Sequence, residues 1–501
     1  MCGVLGILSA GSVAQDMYDG LIALQHRGQD ATGMITYDGK FHTRKNLGLV
    51  RDVFHTRHMR NLQGYAAIGH TRYSTVGGGG ADDAQPFMTY SPFGIMLAHN
   101  GNVFNSYELR KEIFEKDHRM TNSDCDAEII LNLFAKALSV GTQKSKFSPE
   151  KVWQSVASVH KRAKGAYSVV AYIAHQGLLA FRDPHGIRPL LFGKRETSLL
   201  PDFAFVSESV ALDLMGFETI GYLAPGEAVF IDEKTRKVHR KVITPKKHTP
   251  CIFEHIYFAR PDSMLDGISV HKARLRMGEA LEKKIRASKL KIDVVMPVPD
   301  SARTSAMALA EKLKIKYREG LIKNRYIGRT FIMPGQAIRK KSIRYKLNPI
   351  RLEVEGKRIL LVDDSIVRGN TSRKIVQIMK EAGAKAIYFA SYAPPITHPC
   401  LYGIDIPTRE ELIASRNSVE EIRKFMGADV LFYGDLAEVK KACLIGNPKI
   451  KDMCMACFDG RYVTGDIDAK VLKKNAESRL NDKCCESPEG PAEDSEQMNL
   501  V

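Results

Sequence analysis

Residues 358–372 read RILLVDDSIVRGNTS, an apolar run followed by two adjacent acids and a loop of small residues. The apolar run is typical of a strand that is buried on both faces of a parallel sheet, and the loop Arg368–Ser372 predicts the start of a helix. Backbone N–H groups at a helix N-terminus attract phosphate, and Gly369 lets a ligand approach the backbone closely. The acids Asp363 and Asp364 can hold sugar hydroxyls, or a Mg²⁺ that bridges to pyrophosphate oxygens. The segment therefore predicts a phosphate site at the end of a strand.

Strand-like and helix-like segments alternate on both sides of this stretch. This alternation predicts an α/β domain with a mostly parallel sheet, which we place at 251–470. Ligands of such sheets bind at the carboxyl ends of the strands, where Pro297–Ser301 also lies. The predicted strands are Ile292–Val298, Arg358–Val362 and Ala386–Ala393, and the predicted helices are Thr304–Leu313 and Thr371–Ala382.

The first half, 2–236, has a different pattern of short strand-like segments separated by Gly, Pro and Asn turns. Two segments with helical spacing, Asp16–His26 and Asp126–Leu138, interrupt them. This pattern predicts packed antiparallel sheets with helices outside. The predicted strands are Gly3–Ser9, Ala66–Arg72, Gly94–His99, Ala166–Ala174, Leu178–Arg182, Phe203–Val206 and Glu227–Ile231.

A chain of 501 residues is long enough for two domains, and the basic segment 237–250 is interpreted as their junction. The tail 482–501 is rich in Glu, Ser, Pro and Gly, and we expect it to be disordered. The net charge of +17 suits nucleic acid, an anionic surface or a polyphosphate substrate. No apolar run approaches the roughly 18 residues of a membrane span, and no secretory signal is visible. Nine irregularly spaced cysteines favour a reducing compartment, so we expect a cytoplasmic protein.

Cys2 follows Met1 directly, and a small residue at this position allows the initiator Met to be removed. The Cys2 thiol and the α-amine would then belong to the same residue. The free α-amine has a pKa of about 7.7–8.0, so it can serve as a base for the thiol near neutral pH. On the dipeptide alone a chance cysteine is the better interpretation, so the hypothesis depends on the rest of the chain.

Five patches of the first half carry the chemistry that such a nucleophile needs. They resemble the glutaminase domain of N-terminal-nucleophile amidotransferases, a four-layer αββα sandwich. That resemblance implies that Arg27 orders the site near Cys2. The patches are CGVLGI at 2–7, LQHRGQDATG at 24–33, GHTRYST at 69–75, LAHNGN at 97–102 and SDCD at 123–126.

The same resemblance implies how the substrate glutamine would bind. Arg72 would hold the α-carboxylate through its guanidinium fork, and Asp126 would hold the α-ammonium. Asn100 and the Gly101 N–H would form the oxyanion hole that stabilises developing charge.

The stretch 358–372 resembles the phosphoribosyl pyrophosphate (PRPP) loop of type I phosphoribosyltransferases, and 323–336 resembles the flexible loop that closes over PRPP. In this resemblance Ser301, Asp363 and Asp364 position one Mg²⁺ and the ribose hydroxyls, and Thr371 and Ser372 bind the 5′-phosphate. The basic loop, with Arg339, Lys340 and Lys341 beyond it, would neutralise the diphosphate. The implied PRPP-binding residues are Lys323, Arg325, Arg329, Asp363, Asp364, Arg368, Gly369, Thr371 and Ser372.

A glutaminase-like domain followed by a phosphoribosyltransferase-like domain resembles the amidophosphoribosyltransferase family. The resemblance implies that glutamine hydrolysis proceeds through a Cys2 thioester and that ammonia is channelled to PRPP. The product is 5-phosphoribosylamine, in the first committed step of purine synthesis. It also implies a homotetramer inhibited by purine nucleotides, and it explains the positive charge without nucleic acid or membrane partners.

A CxxC motif at Cys454 and Cys457, taken alone, predicts zinc, redox chemistry or no site at all. With Cys251 and Cys400 it matches the branch of the family that carries a structural [4Fe–4S] cluster. Zinc also favours four thiolates and stays open as the alternative. The other cysteines, Cys125, Cys443, Cys484 and Cys485, are expected to be free thiols without an assigned role.

Two other functions compete with this interpretation. Another Cys2 amidotransferase, such as an aminosugar or asparagine synthase, lacks a VDDSIVRGNTS loop. A regulatory PRPP sensor that binds nucleic acid would fit the basic charge. A sensor needs no nucleophile, however, and the set Cys2, Arg72, Asn100 and Asp126 argues against it.

Overall fold

Two antiparallel sheets form the first half of the chain, and one parallel sheet forms the centre of the second half. The structure, a computed structural model, describes residues 2–73, 80–142, 146–324 and 347–484, with side chains as far as 477. The basic flexible-loop residues Arg325, Arg329, Arg339, Lys340 and Lys341 lie outside this part, as does the tail from 485.

The strands of the two antiparallel sheets pair in the following spatial order. The seven-stranded sheet consists of Glu218–Tyr222, Leu191–Arg195, Asp202–Val206, Gly3–Leu8, Ala66–Arg72, Ala31–Tyr37 and Phe41–Leu47. The six-stranded sheet consists of Val238–Val242, Glu227–Asp232, Gly177–Arg182, Gly165–Ile173, Ile95–Val103 and Phe87–Thr89.

The sheets pack face to face, and helices cover both outer faces. Within Gly3–Leu8, Val4 and Leu8 enter the core between the sheets, whereas Leu5 and Ile7 pack with the helix Ala14–Ala23. This alternation follows from the period of two residues along a strand. The helices Asp126–Thr142 and Pro149–Arg162 cover the outer face of the second sheet. The predicted four-layer αββα sandwich is confirmed.

The predicted parallel sheet of the second half is also confirmed. Alternate residues of Arg358–Asp363 pack on its two faces, with Leu360 and Val362 on one side and Ile359 and Leu361 on the other. The sheet order is Lys316–Tyr317, Val294–Pro297, Arg358–Asp363, Ala386–Ser391 and Val430–Tyr433. Two hairpins pair Met264–Leu265 with Ile268–Ser269, and Leu321–Lys323 with Leu347–Pro349.

Helices surround these sheets, and none that the structure describes is both long and apolar enough to cross a membrane. Those of the first half, besides the three named above, are Val50–Val53, Thr56–Asn61, Ser106–Asp117 and Ser209–Leu214. Those of the second half are Val270–Ala280, Glu282–Ala287, Arg303–Leu313, Arg351–Val354, Asn370–Glu381, Val419–Met426, Leu436–Leu444, Ala456–Asp459 and Ala469–Cys484, with a π-helical turn at Glu254–Phe258.

The basic segment 237–250 contributes the strand Val238–Val242, which pairs with Glu227–Asp232 in the first half. The chain therefore passes from the first half to the second half in the later part of that segment, after the strand Val238–Val242.

Candidate functional site

Cys2 is buried at the start of the first sheet, directly before the strand Gly3–Leu8. Its backbone N–H donates to Asn100 Oδ1 at 3.2 Å, and its Sγ lies 3.7 Å from the Tyr73 carbonyl oxygen. Asn100 belongs to the other sheet, so this contact spans the sandwich. The α-nitrogen of Cys2 and the Asn100 amide are therefore direct neighbours, although 98 residues separate them in the chain.

Asn100 offers a donor beside the nucleophile, and Gly101 follows it on the same strand. Asn100 is fully buried, and its Nδ2 group has no hydrogen-bond partner within the described part of the chain. A Cβ atom on Gly101 would lie 1.9 Å from the Ala166 carbonyl oxygen, so only glycine fits there. A buried amide donor without a partner is costly unless a ligand uses it. This arrangement can stabilise an oxyanion that forms next to Cys2.

Arg27 is fully buried and connects Cys2 to two carboxylates. Its Nε donates to the Cys2 carbonyl oxygen at 2.9 Å, and its Nη1 pairs with Glu208. Its Nη2 donates to Glu254 Oε1 at 2.8 Å and to Oε2 at 3.1 Å. Burial disfavours the charged guanidinium, but Glu254 and Glu208 outweigh this effect and raise the pKa of Arg27. Arg27 is placed to hold the backbone of Cys2.

Arg72 and the helix that carries Asp126 are joined through Asp83. Arg72 Nη2 donates to Asp83 Oδ2 at 3.3 Å, and both side chains are buried. Asp83 Oδ1 accepts from the Asp124 N–H at 3.0 Å, two residues before the helix Asp126–Thr142 begins. One carboxylate therefore links Arg72 to the segment that leads into the helix of Asp126.

Asp126 is buried beside a histidine. Its Oδ2 accepts from the Val103 N–H at 2.7 Å and lies 3.2 Å from His99 Nε2. Burial favours the neutral acid, but His99 and the Val103 N–H outweigh burial and lower the pKa of Asp126. The side chain is therefore a carboxylate, as a partner for an ammonium group must be.

A segment of the second half packs directly against the strand of Asn100. Asn102 Nδ2 donates to the Leu401 carbonyl oxygen at 2.9 Å. The Gly403 backbone lies so close that a Cβ on this residue would be 2.8 Å from the carbonyl carbon and oxygen of Gly101. The side of the sandwich that carries Asn100 therefore faces the second half of the chain.

The parallel sheet brings together the ends of two strands at the predicted phosphate site. Pro297 pairs with Val362 on the neighbouring strand, so the residues that follow them are close. Ser301 donates its hydroxyl to Asp364 Oδ2, and Ser365 donates to Asp364 Oδ1 at 2.5 Å. The structure thus brings Ser301, Asp363 and Asp364, the three side chains predicted to position Mg²⁺, to one edge of the sheet.

Asp363 and Asp364 are both buried at this edge. Burial raises the pKa of both carboxyls, and the charge of Asp364 raises the pKa of Asp363 further. A bound cation or a set of hydroxyl donors would lower the pKa of both carboxyls again, because either one favours the ionised form.

The helix Asn370–Glu381 begins directly after the acidic loop, with Gly369 at a φ of +74°. A left-handed conformation at this position favours glycine. Thr371 is exposed and Ser372 is buried in the first turn. Arg368 contacts Glu411 at 2.8 Å, a partner that the sequence did not indicate.

Lys323 is exposed at the end of the last strand before the undescribed loop. Its Nζ lies 3.2 Å from Asp300 Oδ2, next to Ser301. Lys323 is therefore close to the acidic edge of the sheet. The other predicted loop contacts, Arg325 and Arg329, fall outside the described residues.

The four cysteines predicted to bind metal come together between the junction and the late chain. Cys251 and Cys454 face each other in a parallel bridge, and both are buried, as is Cys457. Cys400 is half-buried. Burial raises the pKa of Cys251, Cys454 and Cys457, and neighbouring thiols raise it further for Cys454 and Cys457. For Cys251, Arg188 lowers the pKa, whereas Glu254 and then Cys400 raise it. Within the described ranges no three His, Cys, Asp or Glu side chains are arranged to hold one metal ion.

Comparison with known proteins identifies both halves. Residues 70–213 match the glutamine amidotransferase domain family, and 265–398 match the phosphoribosyl transferase domain family. The chain is 52% identical over 484 residues to the amidophosphoribosyltransferase of Pseudomonas aeruginosa, with 96% of each chain covered. It is 48% identical over 477 residues to the Escherichia coli protein of the same name, with 94% of each covered.

Solved structures agree with this result. A glutamine PRPP amidotransferase from B. subtilis, complexed with ADP and GMP, matches with a TM-score of 0.81 and 38% identity, covering 93% of this chain and 98% of that chain. A structure described as the allosteric regulatory enzyme of purine biosynthesis matches with a TM-score of 0.82 and 37% identity, covering 95% and 99%. The chain therefore belongs to the amidophosphoribosyltransferase family of purine-biosynthesis enzymes, which join a glutamine amidotransferase domain to a phosphoribosyltransferase domain.

Proposed function

We propose that the first half hydrolyses glutamine through Cys2, once the residue before it has been removed. The α-amine would take the thiol proton, and the sulfur would attack the amide carbonyl. Asn100 Nδ2 and the Gly101 N–H would stabilise the oxyanion. As it collapses, the α-ammonium of Cys2 would return its proton to the leaving nitrogen, which releases ammonia and leaves a thioester. Water then hydrolyses the thioester to glutamate and restores the thiol. The contact of the Cys2 nitrogen with Asn100, whose Nδ2 has no partner among the described residues, carries this proposal.

Substrate binding in this half would use the buried charges of Arg72 and Asp126. The guanidinium suits the glutamine α-carboxylate, and the Asp126 carboxylate suits the α-ammonium. Asp83 pairs with Arg72 and accepts from the Asp124 N–H, so it links the two segments that carry these groups.

In the second half, ammonia would displace pyrophosphate from C1 of PRPP, forming the C–N bond of 5-phosphoribosylamine. Asp363 and Asp364 would hold the ribose hydroxyls and, with Ser301, one Mg²⁺. Two buried carboxylates and a hydroxyl are hard oxygen donors that fit this ion, which would neutralise charge on the diphosphate. Gly369, Thr371 and Ser372 would bind the 5′-phosphate. We assign Lys323, Arg325, Arg329 and Arg368 to PRPP as well.

The ammonia would reach PRPP inside the protein. The packing of Leu401 and Gly403 against the strand of Asn100 supports such a path, because the thioester site borders the second half.

Transfer of labelled nitrogen tests this function directly. The purified protein is given PRPP, Mg²⁺ and glutamine labelled with ¹⁵N in the side-chain amide, in a buffer that contains unlabelled ammonium. We expect glutamate, pyrophosphate and ¹⁵N-phosphoribosylamine in equal amounts. Product that carries mainly unlabelled nitrogen would contradict the internal path, and glutamate release without pyrophosphate would contradict the assigned transfer.

We further propose that Cys251, Cys400, Cys454 and Cys457 hold a [4Fe–4S] cluster with a structural role. Four thiols are the ligand type that such a group uses, and Cys251 faces Cys454 directly; zinc is the alternative. Metal bound here would link the junction to the late chain and so add to folding free energy.

Anaerobic purification distinguishes these metals. We expect a brown protein with about four irons per chain, whose colour and activity are lost in air. The variant Cys457→Ser should yield little soluble protein. One zinc per colourless chain would replace the cluster with a zinc site, and a metal-free, fully stable protein would contradict both.

The remaining assignments concern regulation and assembly. We propose that purine nucleotides inhibit the enzyme, as the ADP and GMP of the B. subtilis structure suggest for that relative. We also propose a cytoplasmic homotetramer without nucleic-acid partners. Sedimentation of the purified chain tests the assembly, and the absence of salt-dependent binding to DNA or RNA tests the last point.

A further inference from the structure

Glu254 belongs to the second half of the chain, yet it is bonded to the side chain that holds the nucleophile. We propose that Glu254 is a positioning residue for Cys2, acting through Arg27. This inference rests on the proposed function of Cys2. Glu254 contacts neither the thiol nor the predicted substrate groups in the hydrogen bonds described above, so its effect must pass through the guanidinium.

The chain of contacts is short and has almost no access to solvent. Arg27 is 0% exposed and Glu254 is 2% exposed. The Arg27 Nη2 group donates to both carboxylate oxygens of Glu254, and Nε of the same planar guanidinium donates to the Cys2 carbonyl oxygen. Because the guanidinium is rigid, the direction of the Nε–H depends on where the two carboxylates hold the Nη groups.

Each of the two carboxylates comes from a different half. Glu208 follows the strand Asp202–Val206 in the first sheet, whereas Glu254 opens the π-helical turn Glu254–Phe258. A second buried arginine, Arg188, lies 3.4 Å from Glu254 Oε1. Glu254 therefore joins two arginines of the first half to the second half.

The turn that carries Glu254 is itself held in place. Arg274, buried on the helix Val270–Ala280, donates to the carbonyl oxygens of His255 and Tyr257, both at 2.9 Å. It also donates to the Ala259 carbonyl oxygen at 2.8 Å. Isolated π-helical turns are rare and occur frequently at functional sites. The Glu254 carboxylate is thus fixed relative to the second half of the chain.

Loss of the Glu254 charge should move Cys2 without disturbing substrate binding. With a neutral amide at 254, the Arg27 guanidinium keeps Glu208 as its one strong partner in the contacts described above and turns toward it. The Cys2 carbonyl then loses its donor, and the thiol shifts relative to the amide carbonyl. A misplacement of about 1 Å at a reacting group costs about 10²-fold in rate. Arg72 and Asp126 do not contact Arg27 or Glu254 in the bonds described above, so the affinity for glutamine should be unchanged.

The chain offers a matched control. Arg182 and Asp266 form another buried ion pair between the halves, with Nη1 and Nη2 donating to the two Asp266 oxygens at 2.7 and 2.8 Å. The hydrogen bonds described for this pair do not include Arg27 or Cys2. The variant Asp266→Asn therefore removes the same kind of charge from the same kind of interface.

The test compares Glu254→Gln, Glu254→Asp and Asp266→Asn in the full-length enzyme, by steady-state kinetics with glutamine and with ammonium as nitrogen donor. For Glu254→Gln we expect the glutamine-dependent kcat to fall about 10²-fold with KM for glutamine within about twofold, and ammonia-dependent synthesis to be retained within about twofold. Glu254→Asp keeps the charge, so its glutamine-dependent kcat should fall less. If Glu254→Gln does not fold, Glu254→Asp still provides the test.

Asp266→Asn should show no selective loss of glutamine-dependent activity. Equal loss of both activities in both Glu254 variants, or the same selective loss in Asp266→Asn, would overturn the positioning role. Wild-type enzyme without any glutamine-dependent synthesis would instead overturn the proposed function of Cys2 on which the inference depends.

Discussion

At the scale of single residues, Asp83 links Arg72 to the segment just before Asp126, and nothing in the sequence indicates this role. It pairs with Arg72 and accepts from the backbone just before the helix of Asp126. A hydrogen bond to a charged group contributes about 1.5–3 kcal/mol, so its loss should weaken glutamine binding about tenfold or more. For Asp83→Ala we expect KM for glutamine to rise by that factor while ammonia-dependent synthesis is unchanged. The neighbouring exposed Asp82→Ala is the control, and equal effects of both variants would contradict the assignment.

Asp364 is the second residue whose removal should be informative. Because it is buried, accepts from Ser301 and faces the predicted ribose and Mg²⁺ position, Asp364→Asn should lower both glutamine-dependent and ammonia-dependent synthesis by about 10²-fold or more. Asp293→Asn is a matched control, since Asp293 pairs with Arg358 at the opposite end of the same strand. Turnover of PRPP by Asp364→Asn within about twofold of wild type would refute the loop assignment.

The sequence could predict functional residues that lie together in a short segment. It could not predict residues that act through contacts with distant parts of the chain. Cys2, Asn100 and Asp364 sit in short segments whose composition already indicates nucleophile, turn or phosphate chemistry. Glu208 and Glu254 are isolated acids in their segments, 181 and 227 residues from the arginine they contact. Only the folded chain brings them to Arg27.

At the scale of elements, the segment Leu401–Gly403 couples the second half to the strand of Asn100. Gly403 has a φ of +97° and lies against the backbone of Gly101. For Gly403→Ala the added Cβ must displace that strand, so we expect glutamine-dependent kcat to fall about tenfold or more. Gly356→Ala controls for backbone strain, because Gly356 has a φ of +69° and open space around it. Similar kinetics for both variants would show that the contact with Gly101 is not needed.

Strands at an edge of a sheet were harder to predict, and the interior strands Ala31–Tyr37 and Leu191–Arg195 were missed as well. The strand Ala66–Arg72 has the predicted bounds, and Arg358–Asp363 extends one residue further than predicted. The strands Phe41–Leu47 and Val238–Val242 were missed, because each is an edge strand with charged side chains. Polar residues are typical of edge strands, where they prevent pairing with other chains.

At the scale of the whole molecule, buried carboxylates with charged partners make stability depend on pH. Burial opposes ionisation, but His26 and Arg27 lower the pKa of Glu208, and Arg182 lowers the pKa of Asp266. A group with a depressed pKa in the folded state stabilises the fold above its unfolded value, near 4, and this stability is lost as pH falls further.

We therefore expect the melting temperature to fall steeply below about pH 4.5. Asp266→Asn should lower the melting temperature at pH 7 and make its decline in acid less steep, since one of these carboxylates is then absent. Calorimetry between pH 7 and pH 3 measures both effects. A variant whose acid dependence matches that of wild type would show that Asp266 does not contribute.

In the proposed reaction, one chain makes ammonia at Cys2 and uses it at a separate PRPP site. Phosphoribosylamine formation by Cys2→Ala, measured with glutamine and then with ammonium, tests whether the two sites are separate. We expect glutamine-dependent synthesis to fall by at least about 10³-fold, because the nucleophile is lost. Ammonia-dependent synthesis should stay within about twofold of wild type, because the acidic edge of the parallel sheet is untouched. Equal loss of the two activities would show that the two sites are not separate.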